Sequence, residues 1–349
     1  MKAKAESSKS KLSSVAADVR RRKSIGSRNP PPHVSSYDLP VAAMWNRSQA
    51  QCIKVSRVAI PHYTSVVAKR KSIPVALTIA GSDSGGGAGV QADLKTFAAL
   101  GVHGTSVITC ITAQNPIRVY GIEPCTPTIV RNQLEAVFDE IPPHAVKTGM
   151  LFSAPIIRAV SDFFQNRKLP PLVVDPVMLS TSGTRMLERE AVKVLTERLL
   201  PLATLVTPNL YEAEILAGEK IRSVDGMRDA ARMIQQRFGC AALVKGGHLP
   251  HSEEAVDVYR DGRWEMALAT FYIQDVKTHG TGCTLSSAIA AYLAQGFSLR
   301  PALKKAKRYI TCAIENSVPA RGHSVLGIGE ESQHSVQRKL QKKLQKKDA

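Results

Sequence analysis

Thr278-His-Gly-Thr-Gly-Cys283 runs without a break into Thr284-Leu-Ser-Ser-Ala-Ile-Ala-Ala-Tyr-Leu-Ala294. Small and apolar residues recur there at helical spacing, which predicts a helix beginning near Gly280. The first turn of a helix leaves backbone N–H groups without partners, and the two glycines let a ligand approach them closely. With the positive end of the helix dipole added, Gly280, Thr281 and Gly282 form a candidate phosphate or oxyanion site. Cys283 falls in the same turn, where its thiol is expected to ionise below its ordinary pKa and to be reachable as a thiolate. The same residues also read as a glycine-rich loop carrying a buried cysteine into a core helix. The flanking sequence has to decide.

Toward the N-terminus, residues 254–273 read as a hairpin turning at Asp261-Gly262. Before it, short apolar runs alternate with helical patterns. Ala241-Ala-Leu-Val-Lys245 precedes Gly-Gly-His248, and a helix over 225–238 comes before it. Thr204-Leu-Val-Thr-Pro-Asn209 leads into a helix from Leu210, and Pro171-Leu-Val-Val-Asp175 into a loop and a helix over 188–199. Ala145-Val-Lys-Thr-Gly-Met-Leu151 comes before a helix around 153–166, and Gly104–Ala113 delivers Gln114-Asn115-Pro116. This alternation predicts an α/β fold, one mostly parallel sheet with helices on both faces.

Gln114, Asp175, Asn209 and Lys245 would then lie at C-terminal strand ends, the usual place for a site in an open α/β sheet. Each also has a plainer reading. Asn209-Leu-Tyr-Glu212 is the pattern of a helix capping box, and equally a pair able to orient water and magnesium near phosphates. Lys245 suits a phosphate contact or a solvated turn. The Gln114 amide suits a planar heterocycle with a ring nitrogen and an amino group, or braces a turn. Their convergence on one edge favours a site.

The first strand, Ile73–Ala80, ends in the loop Gly81-Ser-Asp-Ser-Gly-Gly-Gly-Ala-Gly89. This is no P-loop, because the closing Gly-Lys-Ser/Thr is missing, and the spaced dinucleotide fingerprint is missing too. It offers backbone against which a flat ligand can lie. The helix Val90–Leu100 follows, with Asp93 on the same side as Val90, Leu94 and Phe97. A carboxylate on a buried stripe needs a partner, either a local backbone N–H or a ligand.

The 349 residues allow one large α/β domain or two small ones. No stretch approaches the roughly 20 apolar residues of a membrane span, so no membrane partner is expected. Six scattered cysteines without a C-x-x-C pair argue against a zinc site or a disulfide scaffold. The net charge of +18 is uneven. Residues 1–72 hold 15 lysines and arginines against 3 acids, residues 322–349 hold 6 against 3, and residues 73–321 hold 26 against 23. Residues 1–72 are therefore read as a basic, serine-rich, largely disordered extension with the composition of an organelle transit peptide, plastid and mitochondrion being indistinguishable. A nucleic-acid patch on Arg20–Lys23 is the competing reading. Residues 322–349 read as a solvated basic tail.

Seven stretches, in order, resemble the hydroxymethylpyrimidine (phosphate) kinases of thiamine biosynthesis, which have the ribokinase-like fold. They are Leu77–Phe97, Ala113-Gln-Asn115, Lys147-Thr-Gly-Met-Leu151, Asp175-Pro-Val-Met178, Thr207–Ala213, Val244-Lys-Gly-Gly-His248 and His279–Cys283. The resemblance extends over roughly residues 73–321. The resemblance implies a three-layer αβα sandwich, a homodimer, and ATP with magnesium as the phosphoryl donor. It puts Gly81, Asp93 and Gln114 on the aminopyrimidine, Asn209, Glu212 and Asp175 with magnesium-ATP, and Lys245 near the nucleotide. Gly280–Cys283 becomes the anion hole and catalytic position, with Cys283 as base for the hydroxymethyl group. Sugar kinases of the fold carry an Asp there. A pyridoxal kinase on the same scaffold is the nearest alternative. Residues 116–123 look shorter than the bacterial pattern, which weakens the expectation of a closing lid.

Overall fold

The computed structural model describes residues 72–327, apart from 166, 180–185, 188, 248, 250–253, 274–275 and 277–278. The expectations for the N-terminal extension up to residue 71, for the tail from 328, and for Thr278 and His248 lie outside these residues.

The chain opens with β1 (Val75–Asp83), α1 (Gly89–Ala99), β2 (His103–Gln114), β3 (Val119–Pro124) and α2 (Pro127–Glu140). Next come β4 (Ala145–Thr148), α3 (Ala154–Gln165), β5 (Leu172–Val174), α4 (Arg189–Val194), β6 (Leu205–Val206), α5 (Leu210–Ala217) and α6 (Val224–Phe238). It closes with β7 (Ala241–Lys245), β8 (Glu254–Arg260), β9 (Glu265–Phe271), α7 (Thr281–Ala294) and α8 (Leu299–Glu315). A small hairpin of β10 (Val318–Ala320) and β11 (His323–Val325) follows.

One nine-stranded sheet runs β3-β2-β1-β4-β5-β6-β7-β8-β9. Its centre, from β2 to β7, is parallel throughout, and β3, β8 and β9 are antiparallel additions at the two sides. Side chains alternate across it, as the two-residue period requires. Leu77, Ile79, Val146, Leu172, Val174, Val206 and Val244 face a core built with α2, α3, α4, α5 and α6. Ala76, Ala145, Val173, Leu205 and Leu243 face the other core, under α1, α7 and α8. Burial on both faces explains why the parallel strands read as unbroken apolar runs. The α/β sandwich is as expected.

Three expectations need correction. The body continues past residue 321 through the hairpin to Leu326, which is buried in the second core. The helix read over 188–199 is α-helical only for Arg189–Val194 and widens into a π-turn at Leu195–Leu199. The region after Asn115 holds an edge strand and a 14-residue helix, β3 and α2, that the apolar pattern did not announce.

Candidate active site

The C-terminal ends of the parallel strands converge beneath the first turn of α7. Gly280 is its N-cap, in the left-handed region with φ of 84°. A Cβ on Gly280 would run into the carbonyl oxygen of Gly87. The glycine-rich loop after β1 and the turn before α7 are thus pressed together, 193 residues apart in sequence. Glycine is required by both conformation and contact.

A Cβ on Gly282 would stand 3.3 Å from Lys245 Nζ and 3.8 Å from Asp175 Oδ2, so the helix terminus lies directly over this ion pair. Lys245 Nζ donates to Asp175 Oδ1 at 2.8 Å. Thr207 Oγ1 donates to the same oxygen at 3.2 Å and Ser286 Oγ to Oδ2 at 3.3 Å. Burial alone would raise the Asp175 carboxyl, but Lys245 and then Lys147 outweigh it and hold it below the usual range. The same partnership raises Lys245. Lys245 is therefore no solvated turn lysine, and its bond to Asp175 uses one of its three ammonium N–H groups.

The capping box at Asn209 is real. Asn209 Oδ1 accepts the Glu212 N–H at 2.9 Å, and Glu212 Oε2 accepts the Asn209 N–H at 2.9 Å. Glu212 Oε1 also accepts the Met178 N–H at 3.2 Å, tying α5 to the loop after β5. Burial pushes the Glu212 carboxyl up to about 7 even with Lys245 opposing, and Asp175 adds to the rise. Among the described residues no three His, Cys, Asp or Glu side chains cluster to form a metal cage. Two carboxylates at one strand edge, Asp175 and Glu212, nonetheless fit a magnesium ion that arrives on phosphates and keeps most of its water.

Cys283 does not match its expectation. It is half-buried, and burial pushes its thiol up to about 11 rather than down. Lys147 pulls the other way, Asp93 and Asp175 reinforce the rise, and a hydrogen bond from the Gly89 backbone lowers it slightly. A helix N-terminus acts only through its first turn, and here desolvation is larger. At neutral pH the resting residue is a thiol.

Asp93 is also corrected. Its carboxylate is wholly buried, and among the described residues it accepts from Thr78 Oγ1 at 2.6 Å, Lys147 Nζ at 2.7 Å and Ser287 Oγ at 2.6 Å. That is the partner its burial demanded, and it leaves no face for a pyrimidine. Gly81 sits at a bulge in β1, where a Cβ would come 2.7 Å from both Cys110 Sγ and Met150 Cε. What it offers is close packing. Gln114 ends β2 half-exposed, with its backbone clamped to Ser84 Oγ at 2.7 and 2.8 Å.

The loop itself is organised by Asp83. Its carboxylate accepts N–H bonds from Gly85, Gly87 and Ala88 at 2.7, 3.1 and 2.8 Å, and His279 Nε2 lies 3.4 Å away. Burial would raise this group, but His279, the Ala88 N–H, the Gln114 side chain and the Gly85 N–H bring it down to about 2. A single carboxylate thus folds the loop and joins it to the turn before α7.

The profile of the phosphomethylpyrimidine kinase family matches residues 83–326, from Asp83 to Leu326. The chain belongs to this family. The Synechococcus elongatus hydroxymethylpyrimidine/phosphomethylpyrimidine kinase is 45% identical over 257 residues, covering 73% of this chain and 97% of that protein. The thiamine biosynthesis bifunctional protein ThiED of Geobacter sulfurreducens is 51% identical over 248 residues, and the chain spans 50% of its length. The chloroplastic thiamine biosynthetic bifunctional enzyme of Arabidopsis thaliana is 45% identical over 248 residues, with 48% of its length spanned. Among solved structures, the Clostridium difficile phosphomethylpyrimidine kinase aligns at 46% identity with a TM-score of 0.62, over 70% of this chain and 100% of that one. The ADP complex of Bacillus subtilis pyridoxal kinase aligns at 37% identity with a TM-score of 0.68, over 75% and 99%. The fold is that of the ribokinase-like kinases.

In this phosphomethylpyrimidine kinase family member, Gly280–Cys283, Lys245, Asp175, Asn209 and Glu212 form one cluster, with the Gln114 and Asp83 loop across from it. Lys147, His279, Ser286 and Ser287 complete it, and neither they nor Asp83 received a role from the sequence. One signal was available. Lys147 is a charge inside the fully buried strand Ala145–Thr148, which itself demands a counter-charge.

Proposed function

We propose that this family member transfers the terminal phosphoryl group of ATP to the hydroxymethyl oxygen of 4-amino-5-hydroxymethyl-2-methylpyrimidine, and then to the resulting monophosphate. The observation that carries the reading is the seating of the Gly280–Cys283 turn on the Lys245–Asp175 pair, against the glycine-rich loop. Fixed donors and a cation aimed at one point are what phosphoryl transfer asks of a protein.

In this reading the N–H groups of the α7 turn and Lys245 receive the transferring phosphate, and Asn209 orients it. Asp175 and Glu212 would hold magnesium, which neutralises phosphate charge when bound. Gln114 reads the aminopyrimidine edge. Cys283 takes the proton of the hydroxymethyl group as its oxygen attacks. The second step needs no such base, because the attacking phosphate oxygen is already an anion, so alignment and the anion hole dominate. The pyridoxal kinases among the structural neighbours keep phosphorylation of a hydroxymethyl pyridine as the second reading. A homodimer is part of the proposal. So is organelle import, in line with the chloroplastic relative.

The test is ATP consumption by the full chain with the hydroxymethylpyrimidine, its monophosphate and pyridoxal offered separately, alongside Cys283→Ala. We expect turnover of both pyrimidines, with the variant losing mainly the hydroxyl step. Turnover of pyridoxal alone would overturn the assignment.

A further inference from the structure

Strand β7 delivers Lys245 to the site, and the residue directly opposite it on β8 is Asp257. Opposed residues on antiparallel strands project from the same face, with Cβ atoms about 5 Å apart. The two side chains thus stand side by side, yet each is matched elsewhere. Lys245 Nζ donates to Asp175 Oδ1 at 2.8 Å, at the end of β5. Asp257 is matched from α8 instead, its Oδ2 accepting from Lys307 Nζ at 2.8 Å, and both side chains are nearly buried. Lys307 also donates to the Ala255 carbonyl at 2.9 Å, so its ammonium is fixed on β8 at two points. A buried ion pair is a weak source of stability, since well-packed apolar side chains do as well or better. Its place beside Lys245 suggests what else it does.

Asp257 makes a second bond that reaches toward the site. Its Oδ1 accepts the Gly246 N–H at 3.1 Å, so the carboxylate holds the first residue beyond Lys245. The chain turns there, with the Leu249 N–H closing on the Gly246 carbonyl at 2.9 Å. This turn is pressed onto β8. A Cβ on Gly246 would run into the Val256 carbonyl oxygen and lie 2.7 Å from Met227 Cε. On the other side the Lys245 N–H donates to the Pro208 carbonyl at 2.8 Å. The backbone carrying Lys245 is therefore pinned between Pro208 and Asp257, and contacts run unbroken from α8 through Asp257 and Gly246 to Lys245. The charge of Lys307 adds a second condition. Without it Asp257 would be a buried carboxylate lacking a counter-charge, with the Lys245 ammonium on the same face and within reach.

We propose that Asp257 and Lys307 are positioning residues for Lys245. Asp257 fixes the turn that ends β7, and Lys307 neutralises Asp257 so that the Lys245 ammonium stays on Asp175, under the α7 terminus. This rests on the reading of Lys245 as a donor to the transferring phosphate. Both phosphorylations pass that point, so the pair acts on the two steps alike, in contrast to Cys283. An interaction realised with the transferring phosphate also shows in kcat rather than in the KM of either pyrimidine.

The experiment measures kcat and KM for each step, hydrogen exchange at the Gly246 amide by mass spectrometry, and urea midpoints, all in full-length protein. The variants are Lys307→Met, Lys307→Met/Asp257→Asn and Lys307→Met/Asp257→Leu. The single variant strands a buried carboxylate, whereas the double variants carry none and keep the test open if the single one does not fold. Asparagine keeps an acceptor for the Gly246 N–H, and leucine removes it. In Lys307→Met, kcat for both steps should fall at least about tenfold as Asp257 draws Lys245 away, with each pyrimidine KM within about twofold. Adding Asp257→Asn should bring kcat back to within about threefold of the parent. Adding Asp257→Leu instead should leave kcat at least about tenfold down and speed Gly246 exchange at least about tenfold, at a similar urea midpoint. An ion pair that served stability alone would give the two double variants the same kcat. That result, parent-like kcat in folded Lys307→Met, or an Asn double variant more than about tenfold below the parent would overturn the proposal. If Lys245→Met itself spares kcat, the phosphate reading of Lys245 fails, while Gly246 exchange in the Leu double variant still decides whether Asp257 holds the turn.

Discussion

Gly280 combines a φ of 84° with an α-carbon set against the Gly87 carbonyl. Gly280→Ala should therefore cost on the order of 3 kcal/mol and lower kcat about 100-fold, since it strains the backbone and separates the two loops. Gly247 is the matched control. A Cβ there meets no atom of the described residues within 4 Å, so Gly247→Ala should stay within about 0.5 kcal/mol of the parent in urea unfolding. Asp83 and Glu212 carry opposite pH signatures. Asp83 drops from 3.8 to about 2 on folding, so it adds on the order of 2 kcal/mol that is fully present above about pH 4 and lost as pH falls through about 2. Glu212 rises from 4.5 to about 7, so the folded state binds its proton more tightly and stability declines as pH climbs through that window, by roughly 3 kcal/mol at most. Urea midpoints of the ligand-free protein should fall between pH 5 and 8, and Glu212→Gln should flatten that decline. An equally steep decline in the variant would show that other groups cause it. At this scale the sequence exposed Gly280, Asp175 and Lys245, because turn glycines and strand-end polar residues are local signals. It hid the pairing of Asp93 with Lys147, because a contact across 54 residues has no local signature. The thiol of Cys283 was misread for a related reason. Helix position is written in the sequence, whereas desolvation is a property of everything packed around the residue.

The helix α5 serves two purposes with one pair of residues. Its capping box and a magnesium-nucleotide role for Asn209 and Glu212 are compatible, because the box fixes the carboxylate that the nucleotide would need. Substitution can separate them. Serine caps a helix about as well as asparagine, whereas alanine costs about 1 kcal/mol. Asn209→Ser should keep stability within about 0.5 kcal/mol while raising the KM for ATP at least about fivefold. Asn209→Ala should lose both. Full kinetics in Asn209→Ser would reduce Asn209 to a cap. Elements legible from sequence were those with a strong period, such as the central strands and α7. The strand β3 was not, because it lies at the sheet edge, exposed along most of its six residues, and carries Gly121 and Pro124. The helix α2 was missed although Thr126 caps it and Pro127 opens it, since only Val130 and Leu134 are buried. A helix that rests lightly on the sheet leaves little apolar pattern to read.

Taken whole, the molecule separates its charge from its chemistry. The proposed site is assembled from residues between Gly81 and Ser287, all inside a body with 26 basic and 23 acidic residues over 73–321, while most of the +18 lies at the two ends. Phosphate binding here depends on a few aimed groups, Lys245 and the α7 terminus, rather than on a broad positive surface. Two consequences distinguish this from a protein working through its basic segments. Truncation to residues 72–327, which keeps both cores and Leu326, should retain kcat and KM for both pyrimidine steps within about twofold. Any binding of nucleic acid by the full chain should be steeply salt-dependent, weakening at least about tenfold between 50 and 200 mM salt, and should vanish on the same truncation. Parallel measurement of kinase kinetics and of fluorescent-oligonucleotide binding on the two proteins decides the matter. Kinetics that survive truncation while oligonucleotide binding does not would assign the enzyme to the body and the charge to a separate task. Loss of turnover on truncation would mean that an end of the chain reaches the site, and the separation of charge from chemistry would be wrong.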